Sequence, residues 1–221
     1  GNLPWAFMSL LYGAGGTLEN DMDDLTKDVW RKPMEKLKEA YDAGVIAPMD
    51  VDGEQAFGSG KAVFAQLGTW AQGNMSNTLG ADKIAEANTL QYSADNPVNF
   101  FYQCNWMQLK DPHRSAAKSA AAADFVKYVY EHWMDWSEVG SISPAYRDLN
   151  NPEYQKLIQA SFTNSKKERD YIKTSNYLYG GYATAGWGTY NDIVYGNVGL
   201  EEGLKTLDLM AQGQIEIQEE S

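Results

Sequence analysis

Phe57-Gly58-Ser59-Gly60-Lys61-Ala62-Val63-Phe64-Ala65-Gln66-Leu67-Gly68-Thr69-Trp70 is the most informative stretch of the chain. Its order predicts a helix end, a glycine-broken turn, a strand, and an aromatic at the strand's exit. Gly58 and Gly60 supply the permissive backbone of a sharp turn. Ala62 to Leu67 is a short apolar run bounded by glycines, the pattern of a covered strand. Gly68 lets the chain bend, so Trp70 is expected where a strand opens onto a loop. In α/β sheets that is where ligands sit.

The same stretch invites a phosphate-loop reading through Gly58-Ser59-Gly60-Lys61, and its spacing excludes that. A phosphate loop needs glycine where Gln55 stands and Ser or Thr where Ala62 stands.

Working outward, Glu19 to Asp24 reads as a polar turn before a helix whose Pro33 belongs near the first turn. Met34, Leu37 and Tyr41 form one apolar stripe, and Gly44-Val45 reads as a Schellman stop with its hydrophobic contact. Asp50 to Gly53 is a turn before a short helix at Glu54 to Phe57. Phe100 to Met107 has strand composition, with Phe100, Tyr102, Cys104 and Trp106 on one face and Phe101, Gln103, Asn105 and Met107 on the other. Asp111-Pro112 opens an alanine-rich helix with a seam of Ala121, Phe125, Val129 and Trp133. Asn151-Pro152-Glu153 reads as a helix start, followed by inward-facing Leu157, Ile158 and Phe162. A final helix carries Leu200, Leu204, Leu207 and Ala211 on one side and is expected to end at Gly213. The alternation of strands and helices favours an α/β fold.

Composition narrows the function. The 221 residues suffice for one large domain or two small ones, and each can bury a core. A net charge of −12 argues against nucleic acid and disfavours anionic membranes and substrates. With 14 Tyr, 7 Trp and 7 Phe, the chain is rich in the rings that grip ligands. Cys104 is the only cysteine, so no intrachain disulfide forms.

The chemical constellations are sparse. Asp50-Val51-Asp52-Gly53-Glu54 and Asn20-Asp21-Met22-Asp23-Asp24 lack the ligand pattern of calcium loops and read as solvated turns and helix starts. His113 and His132 have no second ligand at metal spacing, Cys104 has no base in sequence reach, and no nucleophile elbow is present. The sequence therefore calls for no catalytic residue, no metal and no cofactor. Paired carboxylates for glycosidic cleavage stay open, because the fold sets their partners.

The aromatics remain. A sugar ring has an apolar C–H face that a flat indole covers and a hydroxyl rim that amides and phenols meet. Trp70 is the first candidate, its alternative being core packing. Trp187 and Tyr182 lie in the Gly/aromatic stretch Tyr177 to Gly188, and Asn105, with Gln103 behind it, offers rim hydrogen bonds. For these two polar residues the alternative is ordinary strand polarity.

The opening stretch resembles the F-x-x-G-K-A-x-(apolar)-x-x-x-G-x-W signature of extracellular solute-binding proteins of carbohydrate ABC transporters, the group of maltose-binding protein. Leu10 to Gly16, Pro33 to Pro48, Ala120 to Trp133 and Gly140 to Ala145 resemble flanking pieces of that family in order and spacing. The resemblance implies a helix-rich α/β lobe of periplasmic-binding-protein type, with a central sheet flanked by helices. It implies that 1–107 and 157–221 form the second lobe, and that 108–156 is a helical segment returning to the first. It adds Trp5 as the cleft aromatic before the Gly-Gly helix.

The function implied is non-enzymatic capture of a sugar or oligosaccharide between two lobes, for delivery to ABC permease subunits. The address implied is extracellular, as a cell-surface lipoprotein or in the periplasm, with the signal peptide and much of the first lobe outside this sequence. The exposed helix at 120–136 would then pack on a neighbouring molecule, giving self-association, or on a rearranged core. A glycoside hydrolase and a carbohydrate-binding module without a transporter are the alternatives.

Overall fold

The helix α1, Leu3–Gly13, is apolar on every side, and it is central for that reason: Ala6 to Leu11 are all buried. The computed structural model describes residues 3–87, 89–98, 108–138, 150–160 and 188–219. They fall into two compact units.

The first unit holds 3–67, 89–98 and 188–219. After α1 come α2, Leu18–Asp21, and α3, Asp28–Asp42. α4 is Gly53–Gly58, α8 spans 188–194, and α9 is Leu200–Glu219. α3 packs on both α1 and α9. It buries Trp30, Pro33, Met34 and Leu37, an i, i+3, i+4, i+7 face. α9 answers with Leu204, Leu207 and Ala211. At the centre Phe7 stacks on Trp30 with centroids 5.7 Å apart and meets Tyr190 of α8 at 5.0 Å. The Trp30 indole N–H donates to the Asp21 carbonyl at 2.8 Å, which satisfies the one polar atom of a wholly buried ring.

Polar contacts fasten α9 to α3 and to the loop before it. Asp208 Oδ1 accepts the Leu25 N–H at 3.0 Å, Gln212 donates to the Met22 carbonyl, and Glu201 pairs with Arg31. Gly203 lets α9 approach α8, because a Cβ there would collide with the Ile193 side chain.

The helix stops are local hydrogen-bond devices. At the end of α3 the Gly44 N–H donates to the Tyr41 carbonyl at 2.8 Å and the Val45 N–H to Ala40 at 2.9 Å, the two bonds of a Schellman motif. Its hydrophobic contact departs from expectation: Val45 is exposed, and Ile46 packs on the core instead.

The second unit holds 68–87, 108–138 and 150–160. It contains α5, Gln72–Leu79, α6, Ala116–Glu131, and α7, Trp133–Glu138, with 3₁₀ turns at Thr69–Ala71 and Tyr154–Lys156. α7 packs on the second turn, where Trp133 and Met134 close over the buried Tyr154. α6 begins at its cap Ser115, later than Asp111-Pro112 suggests, and buries none of its residues. Its predicted seam is interrupted at His132, so Trp133 belongs to the next helix.

The expected central sheet is overturned. Among the described residues there is no strand, so the α/β expectation gives way to a helical architecture. Ala62 to Leu67 is irregular chain, with Val63 82% and Phe64 90% exposed. A strand exists only where a neighbour takes its N–H and C=O groups, and a short apolar run cannot specify that neighbour. Phe100 to Met107 lies outside the described residues. Three boundaries also differ. α3 starts at Asp28, so Pro33 sits inside the helix with its ring buried. α9 continues through Gly213 to Glu219. The Asn151 cap leads only to a 3₁₀ turn, its side chain accepting the Glu153 N–H at 2.8 Å.

Candidate functional site

The Gly58-Ser59-Gly60-Lys61 segment closes a helix. Asp52 caps the start of α4 by accepting the Gln55 N–H at 2.8 Å. At the other end Gly60, with φ of 72°, lets its own N–H reach the Phe57 carbonyl and the Lys61 N–H reach Ala56. A helix C-terminus presents carbonyls and the negative end of the dipole. Phosphate needs the opposite end, so the geometry excludes the phosphate reading on physical grounds.

The acidic clusters are likewise spent on local structure. Asp21 accepts the Thr17 N–H at 2.8 Å, Asp24 accepts from Thr26, and Asp23 pairs with Lys27, which holds the Asp23 carboxyl below its ordinary range. Among the described residues no group of three or more His, Cys, Asp or Glu gathers where a metal could be held. His132 stacks on Tyr128 at 3.9 Å, and its Nδ1 meets the Tyr128 carbonyl at 2.8 Å.

Trp70 is presented differently from the core tryptophans. It sits in the 3₁₀ turn Thr69–Ala71, which is closed by the Ala71 N–H donating to the Gly68 carbonyl at 3.0 Å and runs straight into α5. Ala71 and Met75 are buried and anchor the turn, while Trp70 remains 64% exposed. Its six-membered ring lies over Gly68, in the space a Cβ there would fill. The indole therefore rests on backbone and turns apolar area to solvent, where a flat apolar surface could stack on it. The predicted strand does not hold it. The boundary between the two units falls between Leu67 and Gly68.

Of the other predicted site residues, Trp5 lies on α1, but its side chain is outside what is described. Asn105, Tyr182 and Trp187 lie outside the described residues, as does Gln103. Sequence reasoning passed over Gln72 and Gln159, which meet through a side-chain hydrogen bond of 2.7 Å. No sequence signal pairs two glutamines so far apart. In the same unit burial pushes the Glu86 carboxyl up, the direction a general acid needs.

No helix among the described residues is long and apolar enough to cross a membrane. Comparison with known proteins gives no match: no family model, no curated protein and no solved structure matches the chain.

Proposed function

We propose that this chain is the substrate-binding component of an ABC importer and captures a sugar or oligosaccharide for delivery to permease subunits. The observation that carries the reading is Trp70, a large aromatic left 64% exposed and seated on a glycine. Burying such a ring is favourable, so its exposure is retained against the tendency that hides aromatics. The sequence signature around it supports the transport reading, and the net charge of −12 suits a neutral ligand better than an anionic one. The ligand's C–H face stacks on the indole, and the chain does no chemistry on it.

A thermal-shift screen of the chain against oligosaccharides, repeated with Trp70→Ala, tests this. A ligand that binds the folded state raises the melting temperature with concentration. The expected result is a sugar-dependent rise that Trp70→Ala abolishes. A rise that survives the substitution, or none with any sugar, overturns the platform. Release of free sugar from a polysaccharide, lost in Glu86→Gln, would instead make the chain a hydrolase. For the importer itself, the expected result is co-purification with permease subunits that strengthens when sugar is present.

A further inference from the structure

Trp70 stands at the head of α5, and the first residue of that helix is tied to the interior. Gln72 Nε2 donates to Gln159 Oε1 at 2.7 Å, and Gln159 Nε2 donates to the Ser137 carbonyl at 2.7 Å. Gln159 is 1% exposed, and Ser137 is wholly buried on α7. The tie runs within one unit, from the turn that carries the indole to a helix far along the chain.

The polarity of this relay is dictated. The Ser137 carbonyl can only accept, so Gln159 must turn its NH₂ toward it and its oxygen toward Gln72. Gln72 must then donate, which leaves its own oxygen buried with no hydrogen-bond partner among the described residues. An unmet buried acceptor is costly. An apolar pair of the same size would avoid that cost, so an aliphatic contact would serve stability alone better. What the amides add is direction. Each bond constrains an angle as well as a distance, and Gln72 starts the helix that runs directly on from the turn bearing Trp70.

We infer that Gln72 and Gln159 are positioning residues, which set the face that Trp70 presents to its ligand. The inference rests on the reading of Trp70 as a sugar platform. A stacking face that rolls freely loses entropy when a ligand fixes it, whereas a held face does not.

The test uses the whole chain with Gln72→Met, Gln159→Met and the double variant, each also carried on a Trp70→Phe background. Subtracting the paired spectra isolates the Trp70 emission and its acrylamide quenching. Expected are a changed Trp70 signal in each single variant and a sugar affinity lowered about five- to tenfold, with the double variant no worse than either single one. Wild-type Trp70 signal and wild-type affinity in the variants, whatever happens to the melting temperature, overturn the inference. If the wild-type chain binds no sugar, the platform reading fails, and the Trp70 signal still decides the positioning role. If Gln159→Met does not fold, Gln72→Met, at the partly exposed helix start, carries the same comparison.

Discussion

The six-membered ring of Trp70 occupies the space a side chain on Gly68 would need. The glycine is not in a left-handed conformation, so its role there is to leave room. Gly68→Ala therefore isolates a steric effect with no backbone strain. The alanine is expected to lift the indole from its seat and change the Trp70 emission. On the proposed platform reading, it should weaken sugar binding about tenfold, the scale of one lost aromatic contact. The melting temperature should hardly move, since Trp70 contributes little burial. Unchanged emission and affinity in a titration would show that the ring does not need this seat.

α9 carries two glycines whose replacement is expected to act in opposite directions. At Gly203 a Cβ meets the buried Ile193, so Gly203→Ala should destabilise the chain by about 1–3 kcal/mol through overpacking. At Gly213 a Cβ meets nothing within 4 Å, and the helix continues past it. Gly213→Ala should stabilise by about 0.8 kcal/mol through helix propensity. Urea unfolding of both variants checks the pair. Trimming Ile193 to Val should recover part of the Gly203→Ala loss, and no recovery would mean that this contact is not the cause.

Trp30 has two separable contributions, ring burial and its N–H. Trp30→Phe keeps a ring against Phe7 but strands the Asp21 carbonyl, a loss of about 1–3 kcal/mol. Trp30→Ala removes the ring as well and should cost about 3–5 kcal/mol. Equal losses in the two variants, by chemical denaturation, would contradict this division.

Tyr12 gives the chain an alkaline weakness. Its hydroxyl accepts the Leu18 N–H at 3.1 Å and donates to Glu19 at 3.1 Å. Burial, the largest cause, pushes its pKa up from 10.0 to about 12. Between those values the unfolded chain has lost the proton that the folded chain keeps, so stability falls as pH rises through this window. The contribution is complete below pH 10. Tyr12→Phe should be less stable than the wild type at pH 8, and the gap should narrow toward pH 12. A gap that stays constant across denaturation curves at these pH values would rule out the linkage.

Much of the helical architecture was legible. The stripe Met34, Leu37 and Tyr41 lies on the packed face of α3, and Leu204, Leu207 and Ala211 lie on that of α9. The Gly44 stop was legible too, because it is made by residues three and five apart. The reach of α3 was not: reading Pro33 as a helix start hid Trp30, the largest wholly buried side chain. A proline inside a helix forfeits one hydrogen bond, and packing of the first turn outweighs it.

Of the residues proposed for the site, Trp70 is the one whose side chain lies among the described residues. The short run Ala62 to Leu67 carried the right composition for a strand, yet Val63 and Phe64 stand exposed. Gln72 and Gln159 were invisible, being 87 residues apart.

By itself the sequence determined that the segments of α3, α4, α6 and α9 are helical, where α3 stops, and which faces of α3 and α9 are apolar. Those features depend on side-chain periodicity and on hydrogen bonds between residues a few positions apart. Only the tertiary structure decided that no strand among the described residues pairs with 62–67, that Gly203 is a contact and Gly213 is not, and that Gln159 meets the helix start next to the turn bearing Trp70. Each of these depends on which distant residue arrives alongside, and a local pattern carries no record of its partner.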